Sequence, residues 1–434
     1  MARMTIGILL TVCILSVVST SGLRAQQSLT TNKQRIDFRD LGQRGSNLIE
    51  PDDSKITSLV TDPVSGRIYG ATSGKRSQIF AFEPSTNHLR PLGVLPQAEG
   101  VHNAAAAAPD GTIFFGTGRD LSADPEISED WGRELGHMHI SKKLWADLEA
   151  SYSGYPGGHI YRWDPSGWDR ARYAANQNAL VQDLGVPVAG EGIYCLELSA
   201  DAKKLYGVTY PHGRFFVFDF ATRQAKVAGD TWADVIFAGP TRGLRSLPGD
   251  LVLDGRGRCY FTSDSGWIGY YDPESGKLAR TGARLPGEFY LLHNNFDIYH
   301  PVVECWTKSG RNEIYGGTND GFLFRFEPGP ERVTNLGKVR ITRRLRALAA
   351  AADGRIYGVA GENKVGCTLF SFDPVTGGFT HYGPLEVDES PYYAWNPARF
   401  GALAAGLDGT LYLGEEDRRG HLFIVVPLLR QVGY

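Results

Sequence analysis

Arginine, histidine and tyrosine side chains recur at related points of this chain, and together they could carry out acid–base chemistry on an anionic substrate. Arg245, Arg346 and Arg399 each stand just before a segment predicted to be a strand. A guanidinium binds a carboxylate through two parallel hydrogen bonds. Neutralising a carboxylate makes the neighbouring C–H more acidic, and a Tyr or His can then remove that proton. The candidate acids and bases are His102, Tyr210, His212 and His300.

Other side chains suggest substrate binding or a metal site. Arg214 follows His212 in one loop, and Trp395 lies in an aromatic segment where its ring could stack on a sugar. His102, His212 and His300 could also converge on zinc or manganese, with calcium as a further choice of divalent metal. The chain contains neither an HExxH motif nor paired cysteines at metal-binding spacing, so the spacing itself does not predict a metal.

A sequence pattern repeated seven times must position these side chains. One strand of each copy ends in a motif such as Ile-Tyr-Gly at 68–70, and the next ends in an acid–Pro pair such as 372–374. The acid–Pro pair predicts a hairpin turn, because proline presets φ and the carboxylate accepts a backbone hydrogen bond. Such repetition is typical of a radial array of sheets. We therefore predict an all-β, seven-bladed β-propeller with four-stranded blades.

The last blade is predicted to borrow its outer strand. The third motif of the pattern, typified by Leu-Gly, occurs only six times after the first blade begins, and its missing copy is at 40–42. A ring can close when the N-terminal strand completes the final sheet, which leaves no open sheet edge. We therefore predict that residues 36 to 43 pair with the blade that begins at Phe400.

The repeat also predicts which side chains meet. In a propeller, the start of each inner strand and the loop between the second and third strands share one face, where function is common. Side chains just before the inner strands should therefore point toward the mouth of the central channel. These are Lys55, His102, Glu191, Arg245, His300, Arg346 and Arg399.

One blade carries a long insertion at residues 117–157. Loops longer than ~15 residues are uncommon and often functional. Residues 128–150 have apolar side chains at near-helical spacing, which predicts a helical lid over one sector of the mouth. A role in shielding the blade, or in a dimer contact, stays open.

Composition and the N-terminus indicate an exported protein. Residues 1–25 have a basic start, an apolar run shorter than the ~20 residues of a membrane span, and small residues near Ala25. We predict that they form a signal peptide, and that residues 26–434 form a secreted or periplasmic monomer without a membrane span. A net charge of −3 argues against nucleic acid as a partner. The remaining cysteines are predicted to be buried and unpaired.

The repeat pattern resembles, over most of the mature chain, that of exported bacterial seven-bladed lyases acting on ulvan, oligogalacturonate or virginiamycin B. The resemblance is architectural, and it assigns no residue a role. It implies β-elimination on a polysaccharide or oligosaccharide that contains uronic acid. The Gly-His and Trp-Asp marks of WD40 repeats and the Asp-box spacing of sialidases are missing from the sequence.

Two other functions stay open. A non-catalytic propeller could hold a glycan or a protein on the same face, because one fold serves many functions. Hydrolysis would instead require two carboxyl groups about 5 to 10 Å apart. The candidate carboxyl groups are those of Asp320, Glu362, Glu415, Glu416 and Asp417.

Overall fold

The fold consists of seven four-stranded antiparallel sheets, the blades of a β-propeller. The computed structural model describes residues 35–42, 48–121, 150–168, 175–231, 247–262, 266–287, 302–339, 344–361, 367–385, 397, 399–417 and 419–427. Blade 1 comprises β2 (Lys55–Thr61), β3 (Ile68–Ser73), β4 (Gln78–Glu83) and β5 (His88–Val94); blade 2 comprises β6 (Ala105–Ala107), β7 (Ile113–Gly116), β8 (Ile160–Trp163) and β9 (Gln182–Gly185); blade 3 comprises β10 (Gly192–Leu198), β11 (Lys204–Tyr210), β12 (Arg214–Asp219) and β13 (Gln224–Asp230).

The other four blades follow in chain order, and the last of them includes the first strand. Blade 4 comprises β14 (Val252–Leu253), β15 (Cys259–Thr262), β16 (Trp267–Asp272) and β17 (Lys277–Arg284); blade 5 comprises β18 (Val303–Lys308), β19 (Ile314–Thr318), β20 (Phe322–Glu327) and β21 (Arg332–Lys338); blade 6 comprises β22 (Leu345–Ala350), β23 (Ile356–Ala360), β24 (Thr368–Asp373) and β25 (Gly378–Pro384); blade 7 comprises β26 (Phe400–Ala405), β27 (Leu411–Glu415), β28 (His421–Val426) and β1 (Arg35–Asp40).

The predicted all-β fold with seven four-stranded blades is therefore confirmed. In blade 7, β1 runs antiparallel to β28, with Asp40 opposite His421. The predicted helical lid at 128–150 lies almost wholly outside the described residues, which resume only at Ala150. Within the described ranges there is no helix long and apolar enough to cross a membrane. The signal peptide predicted at 1–25 is also outside them.

The glycine of the repeated Tyr-Gly motif has a packing role. In blade 1, Gly70 lies opposite Phe80 in the register of β3 and β4. A Cβ on Gly70 would come within 2.1 Å of the ring of Phe80, so any larger residue would displace that ring. The same pairing recurs in three other blades, as Gly207 with Phe216, Gly316 with Phe324 and Gly358 with Phe370.

The motif's tyrosine packs in the core, and the turn acids cap the hairpins. Tyr69 and Tyr357 are fully buried, which raises the pKa of both phenols. At the turn after β24, Asp373 accepts a backbone hydrogen bond from Val375 N at 2.9 Å, as the acid–Pro pair predicts. The cysteines in the described blades are buried, as the sequence predicts. These blades form the rigid frame that positions the channel side chains.

Candidate functional site

A cavity of about 110 Å³ lies on the propeller axis, where the inner strands begin, and we call it the axial mouth. All seven blades contribute to its lining. The side chains come from the starts of inner strands and from the loop between β27 and β28, which is the face that the repeat predicts. Its lining includes Thr57, His102, Asn103, Tyr194, Gly249, Glu304, Arg344, Arg346, Arg399 and Glu416.

Two bidentate ion pairs line the axial mouth. Arg399 donates through Nε and Nη2 to the two carboxylate oxygens of Glu416, at 2.6 and 2.8 Å. Arg344 of blade 6 donates in the same way to Glu304 of blade 5, at 3.2 and 2.9 Å. This fork geometry is the strongest form of the arginine–carboxylate contact. Because the charges within each ion pair cancel, any net charge in the mouth depends on the remaining titratable groups.

Arg346 supplies that net charge. Its side chain lies between the two pairs and is only 8% exposed. Burial and repulsion by Arg344 and Arg399 lower the pKa of Arg346 to about 10, so it remains a cation at neutral pH. Among the described residues that line the mouth, three guanidiniums and two carboxylates leave one positive charge. The axial mouth is therefore electrostatically suited to one anionic group.

His102 provides a neutral base in the same cavity. Its Nε2 lies 3.1 Å from the carbonyl oxygen of Arg119. A carbonyl can only accept, so Nε2 carries the hydrogen and Nδ1 keeps the basic lone pair. Burial lowers the pKa of His102 below its ordinary value, which keeps the imidazole unprotonated at neutral pH.

Tyr194 supplies a hydroxyl beside that imidazole. The two rings have centroids 6.2 Å apart. Burial raises the pKa of Tyr194, so the phenol keeps its proton at neutral pH and is available as a hydrogen-bond donor or acid. The mouth thus combines a cation, a neutral base and a neutral proton donor.

The cations of the mouth change the pKa of Glu416. Burial by itself would favour its neutral form, but the charges of Arg399 and Arg346 hold the pKa of Glu416 below its ordinary value. The carboxylate therefore stays ionised. In the sequence, Glu416 is only one of several candidate carboxyl groups for glycoside hydrolysis. In the structure, it forms an ion pair with Arg399.

A second cavity, which we call the lower channel, lies deeper on the axis. It measures about 190 Å³ and shares Asn103, Arg346 and Gly401 with the axial mouth. Its acidic side chains are Glu197 and Asp250. Burial, followed by the charge of Asp250, raises the pKa of Glu197 to about 8, while burial raises the pKa of Asp250 to about 7.

Several predicted site residues do not line the axial mouth. Tyr210 is buried in a hydrophobic cluster with Tyr152. His212 binds Glu191, with Nδ1 at 2.5 Å from Oε1, and Arg214 lies 3.8 Å from the same oxygen. Because the buried Glu191 needs cationic or hydrogen-bonding partners, these two residues act on a structural carboxylate. His212 and Arg214 therefore bind Glu191 and do not line the mouth.

Three predicted residues, Arg245, His300 and Trp395, lie outside the described residues. Within the described ranges, no group of three or more His, Cys, Asp or Glu side chains could hold a metal ion. His102 contacts the carbonyl of Arg119, and His212 binds Glu191. The described residues therefore give no support to a metal site formed with His300, which stays a prediction.

Sequence reasoning found Arg346, Arg399 and His102 but missed Arg344, Glu304 and Tyr194. Strand alternation gives no signal for Arg344, because it precedes β22 and has a φ of 63°. Glu304 and Tyr194 had no signal in the sequence either. Each becomes recognisable only when its blade is placed opposite a neighbour.

Comparison with known proteins shows the fold. No family model matches the chain, and no curated protein matches it. Virginiamycin B lyase from Staphylococcus aureus superposes with a TM-score of 0.57 at 11% identity, covering 91% of this chain and 100% of its own. A streptogramin B lyase gives 0.52 at 12% identity, covering 90% and 98%.

A third neighbour is the extracellular domain of a putative hybrid two component system from B. thetaiotaomicron. Its TM-score is 0.53 at 11% identity, and the match covers 90% of this chain and 40% of that one. At these identities, the matches show the β-propeller fold alone.

Proposed function

We propose that this protein is a secreted carbohydrate-active lyase that performs β-elimination at the axial mouth on a polysaccharide or oligosaccharide containing uronic acid. The observation that carries the proposal is the presence of a buried cation, Arg346, and a neutral imidazole, His102, in one cavity. The lyase neighbours share the fold, and the proposed chemistry rests on this chain's own residues.

The proposed steps use those residues in order. Arg346 neutralises the uronate carboxylate, which increases the acidity of the adjacent C5–H. His102 removes that proton through Nδ1, the electron pair forms the C4–C5 double bond, and the C4–O bond breaks. Tyr194 gives its proton to the departing glycosyl oxygen, which completes the balance. General acid–base catalysis of this kind contributes about 10²- to 10⁴-fold to a rate.

The site residues that the sequence predicts have different roles in this proposal. Arg346 and Arg399 keep their roles toward the substrate, although Arg399 acts through its pair with Glu416. We assign Tyr194, rather than Tyr210, as the acid. Arg245, His300 and Trp395 remain candidates for substrate contact, and the lid at 128–150 remains a candidate cover for the mouth.

Export is part of the proposal. Residues 1–25 have the composition of a signal peptide, and one structural neighbour is an extracellular domain. N-terminal sequencing of protein recovered from the periplasm or the medium should show a start close to residue 26. A start at Met1 in the exported protein would contradict this part.

The decisive experiment incubates the purified mature chain with a panel of uronate polysaccharides, including polygalacturonate, alginate, ulvan and chondroitin. We expect the ultraviolet absorbance of an unsaturated uronate to rise with at least one of them, and to be lost in Arg346→Gln. Arg332→Gln is the matched control, because Arg332 is an exposed arginine paired with Glu327 at the outer edge of blade 5. No absorbance across the panel contradicts a lyase.

A binding platform without chemistry is the second candidate, and one observation favours it. The axial mouth measures about 110 Å³, below the ~300 Å³ of ordinary small-molecule pockets, so it admits a single anionic group more readily than a sugar ring. Calorimetry tests this alternative. It would be established if a uronate oligosaccharide binds the original chain, does not bind Arg346→Gln, and gives no unsaturated product.

A further inference from the structure

A third cavity lies between blades 2 and 3, away from the axis. It measures about 380 Å³, within the ~300 to 1,000 Å³ range of small-molecule sites. Residues 109–112, which join β6 to β7, and residues 220–223, which join β12 to β13, form part of its rim. Such turns lie at the strand ends opposite the axial mouth. We call this cavity the inter-blade groove.

The floor of the inter-blade groove is aromatic. Phe114 and Phe220 stack with ring centroids 4.7 Å apart and an interplanar angle of 18°. Phe218 meets Phe220 edge-on at 6.0 Å and 69°. Phe114 and Phe218 are buried, whereas Phe220 and the neighbouring Leu184 are only partly buried. The groove therefore presents a flat apolar surface on which a planar ring can pack.

Two arginines flank that surface. Among the described residues, no side chain or carbonyl accepts a hydrogen bond from the guanidinium of Arg162 or of Arg223, and the buried Nε of Arg162 has no partner. Asp110 is the one carboxylate of the lining, and its charge interacts with that of Arg162. Among the described residues of the lining, two cations and one anion leave a net positive charge. Its charge complements an anionic ligand.

We propose that the inter-blade groove binds a small planar aromatic molecule that carries one carboxylate. The ring packs on Phe220 and Leu184, and the carboxylate accepts hydrogen bonds from Arg162 and Arg223. This combination of a mostly apolar lining with a few polar groups is how small-molecule sites achieve both affinity and orientation. The site is separate from the axial mouth and does not depend on the proposed lyase activity.

The test uses two probes of nearly equal shape, 2-naphthoate and the neutral 2-naphthalenemethanol, titrated into the mature protein by calorimetry. We expect 2-naphthoate to bind with a Kd of about 1 mM or lower, and the alcohol at least tenfold more weakly. Arg223→Gln, in an exposed turn, should weaken 2-naphthoate about tenfold and leave the alcohol unchanged. Arg332→Gln is the matched control and should change neither.

Further variants locate the probe. Leu184→Trp, which fills the groove, should abolish binding of both probes, and Arg346→Gln at the axial mouth should leave both unchanged. If Leu184→Trp fails to fold, binding of 2-naphthoate by Arg162→Gln and Arg223→Gln tests the proposal instead. Equal affinity for the two probes, unchanged binding in both arginine variants, or loss of binding in Arg346→Gln would each overturn the proposal. Failure here would leave the lyase assay unaffected, so the two proposals fail independently.

Discussion

The axial mouth and the lower channel lie on the same axis and share Arg346, yet they shift the pKa of a buried carboxyl group in opposite directions. In the mouth, Glu416 meets arginines and stays ionised in spite of burial. In the lower channel, Glu197 lies near Asp250, and the pKa of Glu197 rises to about 8. Burial is common to both regions. The identity of the neighbouring group therefore decides whether a buried carboxyl group keeps its charge.

This difference bears on function. A region of ionised, paired groups around one extra cation can receive an anion without a change of protonation. In the lower channel, the raised pKa values of Glu197 and Asp250 make the charge of the region change near neutral pH. The mouth is therefore the better candidate for chemistry on a uronate, and the lower channel for a pH-dependent contribution to stability.

The largest expected difference between the two regions is in the effect of a substitution on kcat. If the mouth performs the elimination, His102→Asn should lower kcat by about 10²- to 10⁴-fold, because the proton acceptor is lost. Glu197→Gln, in the lower channel, should leave kcat within about threefold of the original, since Glu197 does not take part in the proposed steps. Initial rates of product absorbance measure both. Similar losses in the two variants would remove the functional distinction between the regions.

The next effect concerns stability. Arg399→Met removes the bidentate partner of Glu416, whose side chain is 14% exposed, and should lower the free energy of unfolding by about 3 kcal/mol. Arg332→Met breaks an exposed pair with Glu327, at an arginine that is 63% exposed, and should cost less than about 1 kcal/mol. Denaturant unfolding followed by tryptophan fluorescence measures both. Equal losses would show that the mouth pair is no more important than a surface pair.

The lower channel should make stability depend on pH. The pKa of Glu197 is about 8 in the folded protein, against 4.5 ordinarily, so between these values the folded state holds a proton that the unfolded chain has lost. The free energy of unfolding should therefore fall as pH rises from 5 to 8, by about 1.4 kcal/mol per pH unit for each such proton.

Denaturant unfolding at four pH values between 5 and 8 tests this slope. Glu197→Gln should flatten the curve, because the variant has no proton to lose at that position. Glu327→Gln, which alters an outer-strand acid in the ion pair with Arg332, is the matched control and should leave the slope unchanged. Parallel curves for the original chain and Glu197→Gln would contradict the raised pKa.

The smallest effect lies in the pH dependence of the rate. Burial and the positive charge of Arg399 lower the pKa of His102, so the acidic limb of kcat/KM should have its midpoint below 6.5, the ordinary value of histidine. Arg399→Gln should move that midpoint upward, and Arg399→Lys, which keeps the charge, should not. A midpoint at or above 6.5 in the original chain would exclude His102 as the neutral base.

Much of the fold was predictable because its signals are local. The Tyr-Gly motif predicts a strand whose tyrosine is buried, and the structure adds that Gly70 makes room for the ring of Phe80. The expected position of Arg346 at the start of an inner strand predicts a side chain on the axis, and Arg346, the second residue of β22, does line the mouth. These inferences need only strand alternation and the order of strands in a blade.

The pairing of the site residues was not predictable in the same way. Glu191 and Arg399 occupy comparable places in the repeat, just before an inner strand, yet Glu191 binds His212 and Arg399 binds Glu416. Glu304 and Arg344 come from different blades and meet only across a blade boundary. No local spacing signals a contact of that kind.

The sequence by itself determined the number of blades, the alternation of buried and exposed side chains, and the ring of polar residues at the strand starts. These follow from short-range patterns that repeat along the chain. The tertiary structure alone decided which carboxyl group of the channel would meet an arginine and which would meet another carboxyl group. Electrostatic interactions depend on distances in space, and the closure of the ring brings together residues that are far apart in sequence.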